Sequence, residues 1–241
     1  MTQPFEGLPK HHFGVILVDP PWRFLSRTPA IGDRDPRNHS GTMDRGELLD
    51  LPVRTVAAKD CHLFMWVTGP MLPEAVPLME AWGFHYSGIA FTWVKLRKAF
   101  GTRLGSRDSM RLSDFHTGLG YTTRKNTELC LLGRRGAPVR VAKDVRELVI
   151  APRRQHSRKP DEIYERIEQY ADGPYLELFA CQERDGWTAW GHQIGKFKAL
   201  PADPNTSHEA NMGRAKVAPR REPPPANPRR GAASKLLGAA P

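Results

Sequence analysis

Continuous apolar runs alternate with helix-period stretches along residues 10–198. Apolar runs bounded by Gly, Pro or charged residues predict buried strands, at residues 14–18, 62–67, 86–94, 127–133, 147–151 and 175–180, with a short edge strand at 187–190. Turn signals and apolar residues spaced three or four apart predict helices at residues 44–50, 73–82 and 160–170. This alternation predicts the α/β fold class, with a mostly parallel sheet covered by helices on both faces.

Two segments depart from this pattern and hold most of the net charge of +10. Residues 95–125 carry eight Lys and Arg against two Asp, with four glycines and no clear period, which predicts a basic substrate loop. Residues 199–241 are rich in Pro, Ala and Arg and are predicted to form a disordered tail after a catalytic domain over residues 1–198. Such concentrated charge favours a nucleic acid partner. The tail arginines either contact phosphates or are simply solvated.

Several classes of protein are excluded by what the sequence lacks. No apolar run approaches the roughly 20 residues of a membrane-spanning helix. Residues 1–10 lack the apolar segment of a signal peptide, so we expect a cytoplasmic protein with no membrane partner. Cys61, Cys130 and Cys181 lie far apart in apolar stretches, a spacing that suits neither a zinc site nor a disulfide framework. We therefore expect buried free thiols and no metal.

Asp19, Pro20, Pro21 and Trp22 directly follow the first predicted strand, where α/β sheets place their ligand sites. The prolines lack N–H donors, so this turn offers a carboxylate and carbonyls that only accept hydrogen bonds. Such acceptors suit the N6 amine of adenine, whose lone pair must be localised before it can attack a methyl group. Trp22 offers a flat face on which a base can stack. The alternative interpretation is a rigid turn with a core tryptophan.

From about Phe13 to Gln193 the sequence resembles the N6-adenine methyltransferases typified by the catalytic subunit of the eukaryotic mRNA N6-adenosine methyltransferase, a family with bacterial and phage members. The Asp-Pro-Pro-Trp motif is the sharpest likeness. The other matching motifs are Gly41-Thr42-Met43, Leu51-Pro52-Val53, residues 63–69, Trp93-Val94-Lys95, residues 126–133, residues 157–162, residues 177–180 and Gly191-His192-Gln193.

The resemblance implies a circularly permuted, Rossmann-like, S-adenosylmethionine-dependent methyltransferase, in which the strand carrying Asp19 comes first and the cofactor-binding strand comes last. It implies direct in-line attack of the adenine N6 amine on the sulfonium methyl. It implies cofactor contacts by Val18, Lys159, Glu177, Phe179, His192 and Gln193. Pro160 suits a first helical position, which predicts Lys159 as the N-cap. A solvated lysine is the alternative for Lys159.

The predicted substrate-binding residues comprise Trp22, the basic loop and two polar residues of a buried strand. They are Trp22, Lys95, Arg103, Arg107, Arg111, Asn126 and Glu128. A carboxylate in a buried strand needs a partner. For Glu128 that partner is either the target adenosine, as the resemblance implies, or a structural ion pair with Arg124 or Lys125.

Departures from the family pattern bear on the functional alternatives. Cys181 stands where the family has an arginine, Ser40 where it has a tyrosine, and His192 where it has an asparagine. A catalytically inactive nucleic-acid-binding homologue or partner subunit is the alternative function, although such subunits typically lose the Asp-Pro-Pro-Trp motif.

Cytosine N4 methyltransferases carry Ser in place of this Asp, so Asp19 favours adenine. Resemblance to small bacterial and phage members favours DNA over RNA, while monomer and homodimer both remain open.

Overall fold

A computed structural model describes residues 4–22, 42–99, 110–120, 122–155 and 157–197. These ranges contain three α-helices: α1 (Arg45–Leu49), α2 (Leu72–Ala81) and α3 (Glu162–Tyr170). They also contain seven strands: β1 (Phe13–Val18), β2 (Ala57–Val67), β3 (His85–Leu96), β4 (Thr127–Arg135), β5 (Leu148–Pro152), β6 (Tyr175–Leu178) and β7 (Trp187–Trp190). Every strand and helix predicted from the pattern is present, with boundaries shifted by a few residues.

The seven strands form one sheet in the order β5-β3-β4-β2-β1-β6-β7. β1 is internal and pairs in parallel with β2 on one side and β6 on the other. Among these seven strands only β4 runs against its neighbours, β2 and β3, so four of the six pairings are parallel, as predicted. The first strand therefore lies beside the late strand β6, the adjacency that a permuted Rossmann-like chain needs. The carboxyl ends of six strands and the amino end of β4 share one edge of the sheet.

Helices cover both faces of the sheet, because alternate residues of each central strand point to opposite sides. Ile16 and Val18 of β1 belong to a core packed with residues of α1 and α2. Val15 and Leu17 of β1 belong to a second core, to which α3 contributes Ile163, Tyr164 and Ile167. The strands read as continuous apolar runs because both of their faces are buried.

The ends of the helices follow from local hydrogen-bonding chemistry, with one correction. Asp44 caps α1 in a capping box with Glu47. Gly83 follows α2 with a φ of 84°, a conformation that glycine adopts without strain. α3 begins at Glu162 with Asp161 at its N-cap, so the prediction that Lys159 caps this helix is wrong. The backbone of Pro160 still takes part in the first turn, accepting from Ile163 N–H at 3.3 Å.

The described part of the basic segment 95–125 is anchored to the sheet more firmly than a free loop. β3 continues to Leu96, and His116 N–H donates to the Lys95 carbonyl at 2.7 Å. Arg97 N–H donates to the Asp114 carbonyl at 2.9 Å. The predicted tail at 199–241 lies outside the described residues, as do Ser40, Gly41, residues 100–109 and residue 121. Within the described ranges, no helix is long and apolar enough to cross a bilayer.

Ile167 tests the packing of α3, because its side chain is fully buried against the sheet. Ile167→Ala should lower the free energy of unfolding by about 2–5 kcal/mol, since it removes apolar contacts and leaves a cavity. Urea denaturation followed by circular dichroism measures this decrease. Glu165→Ala, at an exposed position of the same helix, is the control and should change stability by about 0.5 kcal/mol or less. A similar decrease in both variants would contradict the burial of this helix face.

Candidate active site

Four charged side chains form a continuous chain of ion pairs at the shared edge of the sheet. Asp19 follows β1, Lys95 ends β3, Glu128 begins β4 and Lys159 precedes α3. Lys159 Nζ lies 2.6 Å from Asp19 Oδ2 and 3.1 Å from Glu128 Oε1. Glu128 Oε2 lies 2.5 Å from Lys95 Nζ. The two carboxylates and two ammonium groups balance to zero net charge.

Burial and pairing set the charge states of this cluster. The Glu128 side chain is 9% exposed and that of Lys159 is 13% exposed. Burial alone raises the pKa of Glu128, but Lys159 and Lys95 outweigh it and hold that pKa below its ordinary value. Burial lowers the pKa of Lys159, but Asp19 and Glu128 together raise it above the ordinary value. Burial raises the pKa of Asp19 despite the opposing effect of Lys159.

These contacts bear on two alternatives that the sequence leaves open, while contact of Lys159 with a cofactor and of Glu128 with a target adenosine stay predictions. Lys159 is not a solvated lysine, because its ammonium is shared between two carboxylates and lies 5.4 Å from the centre of the Trp66 ring. Glu128 has ion-pair partners, as a buried carboxylate requires. Those partners are Lys95 and Lys159 rather than the neighbours in sequence, Arg124 and Lys125.

The turn after β1 is held by the backbone. Trp22 N–H donates to the Pro20 carbonyl at 2.8 Å, and Met43 N–H donates to the Pro21 carbonyl at 3.0 Å. Each carbonyl keeps a second lone pair. The Trp22 ring is packed in the core and is 7% exposed, which is the position that the core-tryptophan interpretation expects. Stacking of a base on Trp22 stays a prediction.

An open cleft lies beside the cluster. Its walls include Leu17, Asp19, Trp66, Lys159, Glu177 and Phe179. β6 ends at Leu178 because Phe179 adopts a left-handed conformation with a φ of 59°. That conformation is uncommon for a bulky residue, and such strain clusters at functional sites. Val18 is fully buried in the core and does not line the cleft.

Glu177 and Tyr164 form a second polar pair inside the cleft. The Tyr164 hydroxyl donates to both carboxylate oxygens of Glu177 at 3.0 Å. Burial raises the pKa of Glu177 to about 7, and the Tyr164 hydrogen bond only partly opposes this. Tyr164 is not among the site residues predicted from the sequence. Its signal is a tyrosine on the buried face of a helix, where the hydroxyl requires a partner.

Gly191 allows the Gly-His-Gln motif to pass close to the end of β6. A side chain at Gly191 would approach the backbone of Ala180 to 2.8 Å, so only glycine lets the chain cross the end of β6 there. His192 and Gln193 are exposed and do not line the cleft. The Gln193 side-chain oxygen accepts from Lys196 at 2.8 Å and from the Cys181 thiol at 3.8 Å. Contacts between these two residues and a cofactor stay predictions.

The structure describes only some of the remaining predicted substrate-binding residues. Asn126 is half-buried at the sheet edge, where its carbonyl accepts from Lys95 N–H at 2.8 Å. Arg111 is exposed, and Arg103 and Arg107 lie outside the described residues.

Cys61, Cys130 and Cys181 are free thiols. The thiols of Cys61 and Cys130 are buried, as expected, whereas Cys181 is partly exposed in the wall of the cleft. Across the described ranges, no three His, Cys, Asp or Glu side chains form a group able to hold a metal ion.

Comparisons with known proteins identify a family and several relatives that this chain resembles. A family model described as MT-A70 matches residues 13–193. The chain is 30% identical over 212 residues to the type II methyltransferase M.MunI of a Mycoplasma species, covering 80% of this chain and 83% of that protein. It is 29% identical to the human N(6)-adenine-specific methyltransferase METTL4, covering 77% of this chain and 38% of that protein.

A third relative is the catalytic subunit METTL3 of the human N(6)-adenosine-methyltransferase, which is 28% identical over 196 residues. That match covers 79% of this chain and 30% of METTL3. The chain therefore spans most of the length of M.MunI, but only about a third of the length of each human relative.

The raised pKa of Glu177 predicts a pH dependence of stability. Because the folded-state pKa is about 7 against an ordinary value of 4.5, the folded protein keeps this proton where the unfolded chain loses it. The resulting stabilisation is present below pH 4.5 and is lost as the pH rises through 7. Relative to Glu177→Gln, the wild-type free energy of unfolding should fall by up to about 3 kcal/mol between about pH 4.5 and 8.

Urea denaturation across this pH range measures the effect. The matched control is Glu183→Gln, which removes an exposed carboxylate and should retain the wild-type pH dependence. Parallel stability curves for wild type and Glu177→Gln would show that this carboxyl group titrates normally.

Proposed function

The chain belongs to the MT-A70 family, and from that premise we propose that it transfers the methyl group of S-adenosylmethionine to the N6 amine of adenine in a nucleic acid. The observation that carries the proposal is the position of Asp19. Within an intact Asp-Pro-Pro-Trp motif, its carboxylate is held by Lys159 at 2.6 Å, at the carboxyl end of an internal parallel strand. The names of METTL4 and METTL3, which specify N6 of adenine or adenosine, support the same chemistry.

Several groups that line the cleft suit S-adenosylmethionine. Glu177 has no ion-pair partner among the described residues, and Tyr164 uses only part of its accepting capacity, so it suits the hydroxyl groups of a ribose. Phe179 supplies an apolar wall, and Lys159 supplies positive charge for a carboxylate. When bound, S-adenosylmethionine supplies an electrophilic methyl group that the amine attacks in line with the carbon–sulfur bond.

Asp19 is assigned the role of hydrogen-bond acceptor for the amine. Lys159 bonds Oδ2, and we assign Oδ1 to an N–H of the target base. By accepting a hydrogen bond from this N–H, the carboxylate localises the lone pair of the amine nitrogen. The raised pKa of Asp19, caused chiefly by burial, makes the carboxylate a stronger proton acceptor than an exposed aspartate. Glu128, which is itself paired with Lys95, also contacts Lys159 and helps to keep it in position.

DNA is the proposed substrate. The match spans 83% of M.MunI, which is named a type II methyltransferase, but only 30% of METTL3, which is named for adenosine. A base within a duplex has to be flipped out of the stack, which costs a few kcal/mol. Exposed cations on the segment that continues from Lys95, including Arg97, Lys98 and Arg111, are available to contact the backbone around such a base. Methylation of matched DNA and RNA oligonucleotides, read by nucleoside mass spectrometry, tests this assignment directly.

Asp19→Asn tests the catalytic assignment because the amide keeps the size of the side chain but loses its charge. Methyl transfer should fall by about 10²- to 10⁴-fold, since the variant lacks the anionic acceptor. Affinity for S-adenosylmethionine, measured by calorimetry, should change little. Asp144→Asn removes an exposed carboxylate outside the cleft and is the matched control. Turnover by Asp19→Asn at the control rate would remove Asp19 from the mechanism.

The basic loop predicts a steep dependence of nucleic acid affinity on salt. Replacing Arg103, Arg107 and Arg111 with Gln should flatten the slope of log K against log salt by about 0.7–0.9 for each phosphate that is no longer neutralised. Fluorescence anisotropy with a labelled oligonucleotide measures the slope, and cofactor affinity should stay unaltered.

The control for the loop variant replaces another exposed set of three cations with Gln. Its members are Arg134, Arg140 and Lys143, of which Arg134 pairs with β-strand residues at the opposite edge of the sheet. This control should keep the wild-type slope. Equal slopes for the two triple variants would exclude the loop as the phosphate-binding surface.

A further inference from the structure

Arg158 lies in the wall of the cleft, on the connection between β5 and α3. Its side chain is 17% exposed, and its guanidinium lies 5.6 Å from the centre of the Phe197 ring. Phe197 also lines the cleft and lies beyond the residues that the family model matches. Phe197 N–H donates to the Cys181 carbonyl at 3.3 Å, which ties this residue to the segment after β6. The contact between Arg158 and Phe197 thus brings together two segments of the chain that line the cleft.

The hydrogen-bonding capacity of Arg158 is largely unused. Its ionic contact with Asp161 is 3.5 Å long, while Arg154 holds the same carboxylate at 2.5 and 2.6 Å. Its contact with the Gln155 side-chain oxygen is also long, at 3.4 Å. Its Nε is buried and has no hydrogen-bond partner within the part of the chain that the structure describes. A buried donor without a partner in the wall of a cleft points to an acceptor on a ligand.

Charge balance indicates what kind of acceptor fits. Lys159 and Arg158 are the two basic residues among those that line the cleft. The ammonium of Lys159 is already shared between Asp19 and Glu128. Asp19 and Glu128 offset much of the positive charge that Lys159 presents to an incoming carboxylate, so the further positive charge of Arg158 strengthens that interaction. A guanidinium is planar, always charged and able to bind a carboxylate through two donors.

Building on the proposed function, we propose that Arg158 binds the carboxylate of the S-adenosylmethionine amino acid group, alongside Lys159. The ring of Phe197 lies against the guanidinium, and both side chains line the cleft. Cys181, which also lines the cleft, stands where the family has an arginine, and Arg158 supplies a positive charge that this position lacks.

Calorimetry of the full chain with two ligands tests the proposal without relying on activity. S-adenosylhomocysteine carries the amino acid carboxylate, whereas 5′-methylthioadenosine keeps the nucleoside but lacks that group. Arg158→Gln should weaken binding of S-adenosylhomocysteine by about tenfold to a hundredfold, the effect of removing one charged hydrogen bond. Affinity for 5′-methylthioadenosine should stay at the wild-type level. Arg158→Lys should have an intermediate effect, because it retains charge without a two-donor contact.

The matched control is Lys196→Gln, which removes an exposed cation that lies 5.7 Å from the same Phe197 ring but does not line the cleft. It should bind both ligands like the wild type, and circular dichroism checks that each variant is folded. Unchanged S-adenosylhomocysteine affinity in Arg158→Gln, or equal weakening for both ligands, would overturn the carboxylate assignment alone. If Arg158→Gln weakened only the binding of a labelled oligonucleotide, Arg158 would be a phosphate-binding residue, and the carboxylate assignment would also be overturned. A wild-type chain that bound neither ligand would overturn the proposed function as well.

Discussion

The ammonium of Lys159 is the contact on which the rest of the site depends. It joins Asp19 after β1 to Glu128 at the start of β4, and Glu128 in turn joins Lys95 at the end of β3. Each of these charges is costly to bury alone, and removal of one member leaves another uncompensated. The cluster therefore links the positions of four separate segments. The carboxylate of Asp19, the proposed acceptor, is oriented by the same contact that stabilises this edge of the sheet.

The direction of β4 makes this cluster possible. In a fully parallel sheet, a residue at the amino end of a strand would lie at the edge opposite the site. Because β4 runs antiparallel between β2 and β3, Glu128 lies at the edge where β1 and β3 end. A single reversed strand thus brings a carboxylate to Lys159. The parallel pairing of β1 with β6 separately brings Glu177 to the same edge.

Two glutamates of the site show how neighbours determine charge. Burial by itself favours a higher pKa for both Glu128 and Glu177. For Glu128, the two adjacent ammonium groups outweigh burial and keep the carboxylate ionised. For Glu177, the main partner is the neutral Tyr164 hydroxyl, and its pKa remains raised to about 7. Glu128 is consequently suited to hold cations in place, and Glu177 to accept hydrogen bonds from neutral hydroxyl groups.

The sequence alone determined the elements, the two covered faces and the candidate acceptor, because apolar periodicity and the Asp-Pro-Pro-Trp turn are local signals. It also indicated that Glu128, as a carboxylate in a buried strand, needs a partner. Tertiary structure decided the direction of β4, the burial of Trp22 and the approach of Phe197 to Arg158. It also decided that Lys159 meets a residue 140 positions away. Strand direction and ion-pair partners depend on which distant segments become neighbours, and local pattern does not encode that.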